Sequence, residues 1–101
     1  MLEKDFLKHC EEALLYLSQK VEAWDEKSRF DVEYSDGILE IVLIANQKTY
    51  IINRNSGNQK IWYSSPVSGA DYFAFDETQK KWLNASAIEL EHKLFSELQK
   101  L

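Results

Sequence analysis

The sequence contains very little cysteine, proline or glycine. It has one cysteine, one proline and three glycines in 101 residues. A lone cysteine, Cys10, cannot form an intramolecular disulfide, which fits a reducing compartment. The scarcity of proline and glycine argues against a flexible linker or a disordered tail. The composition therefore favours one compact domain.

The residues of the given sequence predict neither a membrane span nor a targeting segment. No apolar stretch approaches the length of a membrane span. The first residues, Met1 to Asp5, have neither the apolar segment of a secretion signal nor the composition of an organellar presequence. We therefore expect a cytoplasmic protein without a membrane partner.

The residues that are present predict a single domain with an uneven charge distribution. Hydrophobic residues make up 45% of the chain and 13 are aromatic, enough for one core over residues 1–101. Residues 1–40 contain 11 acidic and 5 basic residues, whereas residues 41–101 contain 6 and 7. Nucleic-acid binding needs a basic surface instead, so we expect no nucleic-acid partner.

The spacing of apolar residues predicts a helix at each end and strands between them. Steps of three and four predict a long amphipathic helix from Glu3 to Trp24. A period of two and turn residues then predict strands near residues 30–34, 38–44, 48–53, 60–64, 72–75 and 81–83. The segment Ser86–Glu89 resembles a capping box that starts a second helix. These elements predict an α+β two-layer sandwich, with both helices on one face of an antiparallel sheet of about five to six strands.

Nucleophilic and zinc chemistry find little support in the sequence. Cys10 lies on the apolar stripe of the first helix, where a buried, inert thiol is expected. His9 and His92 are far apart and show no zinc-ligand spacing. Three isolated glycines cannot form a phosphate-binding loop.

Carboxylates gather where the first helix ends and the next strand begins. We call this set the acidic ridge: Glu22, Asp25, Glu26, Asp31 and Glu33, together with Glu11 three helical turns before Glu22. Carboxylates are ligands for iron, manganese, magnesium or calcium, and a ridge of them would bind ions weakly at several sites. The alternative interpretation is an ordinary solvated acidic face that binds no metal.

Trp62 is surrounded in the sequence by amide and basic side chains. These neighbours are Asn53, Arg54, Asn55, Asn58 and Lys60. If Ile61 and Tyr63 share one face of the sheet, Trp62 points to the other. The pattern leaves open whether Trp62 anchors a partner or is simply a packed sheet residue.

Several motifs together resemble the frataxin family. They are Trp24-Asp25, Asp31 and Glu33, the turn at Gly37, Ile-Asn-Arg at 52–54, Gln-Lys-Ile-Trp at 59–62, Ser-Ser-Pro-Val-Ser-Gly at 64–69, and Trp82 before the last helix. The combination of Asn53, Asn58, Ile61 and Trp62 with the Ser-Ser-Pro turn is the most specific part. The start of the chain suggests a bacterial member, whereas the turn is closer to the mitochondrial branch.

The resemblance implies an iron-binding protein that donates iron to, or regulates, iron–sulfur cluster assembly. It implies weak, exchangeable Fe²⁺ or Fe³⁺ on the acidic ridge, and contact with a cysteine desulfurase and a scaffold protein through Trp62 and its polar neighbours. We expect a monomer, with iron-dependent oligomers as an open alternative. The alternative function is an enzyme, a ferroxidase or iron-storage protein that oxidises Fe²⁺ on the same carboxylates.

The sequence also departs from the family pattern at several positions. Ser18 and Gln19 stand where acids are common on the helix, and Lys27 and Arg29 interrupt the acids. Tyr72 stands where mitochondrial relatives tend to have a basic residue. These departures predict a lower affinity for iron and an altered partner contact.

Overall fold

The computed structural model describes residues 1–101 and contains two helices and one six-stranded sheet. The elements are α1 (Glu3–Trp24), β1 (Phe30–Ser35), β2 (Ile38–Leu43), β3 (Lys48–Asn55), β4 (Lys60–Ser65), β5 (Gly69–Asp76), β6 (Lys81–Leu83) and α2 (Leu90–Leu98). The helices pack on one face of the antiparallel sheet, which confirms the predicted α+β sandwich. Neither helix is both long and apolar enough to cross a membrane.

The strands follow one another across the sheet in chain order, from β1 to β6, and every neighbouring pair is antiparallel. Because side chains alternate along a strand, each strand presents one set to the helices and one set to solvent. The inward set is fully buried along the central strands: Leu39, Ile41, Tyr50, Ile52, Ile61, Tyr63 and Phe73. We call the opposite side the open face.

The stripe on α1 covers the inner face of the sheet. Its residues Phe6, Cys10, Leu14, Leu17 and Val21 are at most 2% exposed. Burying each phenylalanine, leucine or valine side chain of this stripe contributes roughly 1.5–3 kcal/mol. The helix ends where the backbone amide of Asp25 donates to the carbonyl of Val21, at 2.9 Å.

The capping box predicted at Ser86–Glu89 is wrong. Helix α2 begins at Leu90, and its N-cap residue, Glu89, makes no side-chain capping bond. Asn84 Oδ1 instead accepts hydrogen bonds from two backbone amides of this loop, at 3.0 and 2.8 Å. Ala87 has a φ of 61°, a left-handed conformation that a helical turn cannot contain. The segment is therefore a tight loop organised by an asparagine.

Candidate docking face and metal ridge

A row of four side chains crosses the open face. Trp62 lies directly opposite Asn53 on β3 and Tyr72 on β5, and Asn53 lies opposite Ile38 on β2. Ile38 is 46% and Tyr72 43% exposed, whereas Trp62 and Asn53 are half-buried. We call these four residues the Trp62 row.

Burial along β4 decides which way Trp62 points. Its neighbours Ile61 and Tyr63 are both 0% exposed and face the helices. Since successive side chains alternate, the Trp62 indole faces away from the helices. A half-buried tryptophan of this kind offers a large rigid contact area and an N–H donor, both suited to anchoring a partner.

The polar residues near Trp62 extend this surface in one direction. Asn55 and Lys60 lie opposite each other on the open face, next to Asn53 and Trp62 along their strands. Asn58 is exposed in the loop that joins the two strands. The side chain of Asn55 shapes this loop, because its Oδ1 accepts a hydrogen bond from the amide of Gly57 at 3.2 Å. Amides and a lysine thus border the tryptophan.

Arg54 does not join this surface, contrary to the predicted arrangement around Trp62. It lies opposite the buried Ile61, so its side chain starts on the helix side of the sheet. Its Nη2 atom is 3.5 Å from the Asp36 carboxylate. Its guanidinium also covers Gly37, where an added Cβ would meet Nη1 at 2.5 Å and where φ is +77°. Arg54 therefore ties β3 to the β1–β2 turn.

The acidic ridge follows the end of α1 and the outer strand β1. Glu22, Glu26, Asp31 and Glu33 are exposed. Asp25 is half-buried, and its two oxygens accept hydrogen bonds from the backbone amides of Arg29 and Phe30, each at 2.9 Å. Asp25 therefore fixes the path from α1 into β1, and only four ridge carboxylates in this region are free of such bonds.

Glu11 lies apart from these residues, near the far end of β1. Its carboxylate accepts a hydrogen bond from the Tyr34 hydroxyl. Burial and this bond raise the pKa of Tyr34 to about 12. Ser18, one of the positions where the family often has an acid, is only 4% exposed and faces the core. Its lack of charge therefore removes nothing from the ridge surface.

Glu40 adds a carboxylate that the sequence analysis missed. It lies on β2 directly opposite Glu33, and both side chains are exposed on the open face. Together with Asp31 they line a shallow depression of about 470 Å³. The signal was available in the sequence, because a two-residue Asp36-Gly37 turn sets the register of this hairpin.

These carboxylates do not converge on one point. Within residues 1–101, no group of three or more histidine, cysteine, aspartate or glutamate side chains could hold a metal ion. An ion held by one or two carboxylates keeps most of its water ligands, so its binding is weak and exchangeable.

A second cavity, of about 390 Å³, lies between α1, β6 and the start of α2. The His9 ring stacks on Phe75 with ring centres 4.1 Å apart, and its Nδ1 atom is 3.8 Å from Glu12. Trp82, which packs against Phe75 and is 6% exposed, forms part of the floor. His9 is thus a packing residue at the rim, far in sequence from His92 and not paired with a nucleophile.

Together, the fold and these surfaces define a small helix–sheet–helix domain with an acidic edge and an aromatic open face. The model of the frataxin-like domain matches residues 1–101. The chain belongs to the frataxin family.

Mitochondrial frataxins are among the similar proteins. The chain is 41% identical to the frataxin of Dictyostelium discoideum over 73 residues, which are 71% of this chain and 37% of that protein. It is 31% identical to the Arabidopsis thaliana protein over 98 residues, or 94% of this chain and 52% of that protein. The chain therefore spans about a third to a half of these relatives.

Solved frataxin structures superpose on the domain. Trimeric frataxin from the yeast Saccharomyces cerevisiae, complexed with ferrous iron, matches with a TM-score of 0.78 and 28% identity, covering 91% of this chain and 83% of that one. Frataxin from Psychromonas ingrahamii matches with a TM-score of 0.79 over 99% of this chain and 90% of that one. At 18% identity, the second match supports the fold alone.

Proposed function

We propose that this protein binds iron weakly on the acidic ridge and docks through the open face on a cysteine desulfurase and its iron–sulfur scaffold protein. In this role it donates iron to cluster assembly or regulates it. Family membership supports the proposal, as does the yeast relative complexed with ferrous iron. The same relative is trimeric, which keeps iron-dependent oligomers open for this chain.

One geometric observation carries the proposal: the carboxylates and the Trp62 row adjoin on the open face. Glu40 and Ile38 are two residues apart on β2, and both are exposed on this face. Two residues of a strand span about 7 Å. An ion at the Glu33–Glu40 pair would therefore lie beside a partner seated on Trp62. Loose binding at that place favours transfer to the partner.

The metal half of the proposal is tested by NMR titration with Co²⁺, and with Fe²⁺ under anaerobic conditions. We expect the earliest changes from Glu22 to Glu33 and at Glu40. Glu40→Gln should weaken binding, whereas Glu77→Gln, which removes an exposed acid in another part of the chain, should not. Changes centred on His9 or His92 would contradict the proposed location.

The docking half is tested by a pull-down with the desulfurase and scaffold, with and without Fe²⁺. We expect co-purification that is lost in Trp62→Ala and retained in Arg54→Gln, provided that this variant is folded, because Arg54 starts on the opposite side of the sheet. Equal loss in both variants would argue against the open face as the contact.

The geometry gives less support to a ferroxidase. Oxidation of Fe²⁺ at a rate useful to an enzyme requires preorganised ligands in a sheltered site. Here the carboxylates on β1 and β2 are exposed and do not converge. Oxygen consumption with Fe²⁺ distinguishes the two functions, because rapid and saturable turnover would contradict a role limited to binding and regulation.

A further inference from the structure

Glu97 on α2 is a buried carboxylate that the proposed function does not use. It is 8% exposed and belongs to none of the four ion pairs of residues 1–101. Three hydroxyls donate to it instead: Ser65 to Oε1 at 2.5 Å, Tyr50 to Oε1 at 3.1 Å, and Ser68 to Oε2 at 2.8 Å. A buried charge is costly without such donors, so this carboxylate specifies where the hydroxyls lie.

Ser65 passes this constraint to the backbone of the β4–β5 turn. While its hydroxyl donates to Glu97, its Oγ accepts hydrogen bonds from the amides of Val67 at 2.9 Å and Ser68 at 3.1 Å. One donated and two accepted bonds use the full capacity of a serine hydroxyl. The whole Ser65–Gly69 turn is therefore oriented by a residue of the second helix.

The same turn joins β4 and β5, the two strands that carry the aromatic residues of the Trp62 row on the open face. Ser65 lies opposite Gly69 at the closed end of the hairpin, and Trp62 lies opposite Tyr72 three pairs further along. The conformation of a hairpin turn sets the register of its strands. Hydrogen bonds on the helix side thus control a pairing on the open face.

We infer that Glu97 is a positioning residue for the open face. Through Ser65 and Ser68 it holds the β4–β5 turn, and the turn in its place keeps Trp62 aligned with Tyr72. The inference rests on the proposed function in one respect, that the open face is the surface that binds the assembly complex. Glu97 itself contacts no partner in this scheme, because it lies on the helix side of the sheet, opposite the open face.

The test compares Glu97→Gln with Glu91→Gln, the same substitution on the same helix at a residue paired with the exposed Lys20. A glutamine accepts through one oxygen only, so at most two of the three hydroxyl bonds keep their direction, and all three lose the negative charge that strengthens them. In Glu97→Gln we expect about tenfold faster amide exchange at Val67 and Ser68, together with a shifted Trp62 indole N–H signal. Affinity for the desulfurase–scaffold complex should fall about tenfold at a temperature where both variants are folded. Glu91→Gln should change none of these.

A double variant separates positioning from general destabilisation. If Glu97 acts through Ser65, Ser65→Ala should reproduce the indole shift, and the combination with Glu97→Gln should add little to either single change. If Glu97→Gln fails to fold, Ser68→Ala replaces it, because it removes one donor from the same carboxylate. The same amide-exchange and indole measurements are then made on Ser68→Ala. An unchanged exchange rate and indole signal in folded Glu97→Gln would overturn the inference.

The proposed function can fail separately. If the unmodified protein does not bind the desulfurase–scaffold complex, the proposed function is wrong. Amide exchange at Val67 and Ser68 and the Trp62 indole signal still decide the role of Glu97, because neither needs the partner.

Discussion

Glu33 on β1 and Glu40 on β2 lie directly opposite each other, with both carboxylates exposed on the open face. Like charges at opposed positions of an antiparallel pair destabilise it. A bound cation would relieve this repulsion, so the folded sheet and the cation should stabilise each other.

Glu40→Lys should replace the repulsion with an attraction. We expect the free energy of unfolding to rise by about 0.5–1 kcal/mol, while Co²⁺ binding weakens. Urea denaturation and a Co²⁺ titration measure the two effects. Glu77→Lys makes the same charge change in an exposed turn, and an equal stability gain there would mean that the effect comes from net charge alone.

Truncation of Trp82 should mainly lower stability, whereas truncation of Trp62 should mainly lower affinity for the partner. Trp82 is 6% exposed and packs against Phe6 and Phe75, so Trp82→Ala should lower the free energy of unfolding by about 3–5 kcal/mol. Trp62→Ala should cost only about 1 kcal/mol of stability. Its affinity for the partner complex should fall by at least about 2 kcal/mol, as for other interface anchors. Thermal melts and binding isotherms test the pair, and a large stability loss with intact binding would identify Trp62 as core.

Acid should weaken the contact between α2 and the β4–β5 turn. Burial raises the pKa of Glu97, but the hydrogen bonds from Ser65 and Ser68 outweigh it and hold the pKa below the ordinary value of 4.5. A depressed folded-state pKa stabilises the protein above the unfolded-state value, and this contribution is lost as the pH falls through the folded-state value.

Glu97→Gln should therefore be less stable than the unmodified protein at neutral pH, and it should lose less stability on acidification. Unfolding in urea at several pH values between 7 and about 3 measures this difference. Asp71, whose pKa is also lowered, keeps some pH dependence in both proteins. Parallel stability curves for the two proteins would contradict the role assigned to the Glu97 charge.

Cys10 should be unreactive in the native protein. Its side chain is 1% exposed, and burial raises the pKa of its thiol to about 12. Thiolate is the reactive form, so modification by a disulfide reagent should be slow at neutral pH and should become rapid in denaturant. Rapid native-state labelling would show that α1 opens readily from the sheet.

Local patterns predicted much of the fold. The boundaries of α1 are those that its apolar stripe predicts, and the Asp36-Gly37 turn sets the first hairpin. The face of Trp62 could not be assigned until burial of Ile61 and Tyr63 was known. A pattern within one strand gives alternation, but not the side on which the helices pack.

The polar parts of the structure were less predictable because they depend on residues far apart in the sequence. Nothing in the sequence distinguishes Glu97 from other glutamates on the helix, yet its carboxylate accepts a hydrogen bond from Ser65, 32 positions earlier. The Ser86–Glu89 segment has the composition of a helix start, but Asn84 gives its backbone a competing set of hydrogen bonds.

The position of β1 at the margin of the sheet gives the acidic ridge a second consequence. A terminal strand offers unpaired backbone groups to any other strand, including one from another copy of the protein. Asp31 and Glu33 lie along this strand and would bring like charges together in such a pairing. These charges therefore disfavour the pairing of β1 with β1 of a second copy. If the proposed metal binding neutralises these carboxylates, it should also lessen this repulsion, so that metal loading and self-association would be linked.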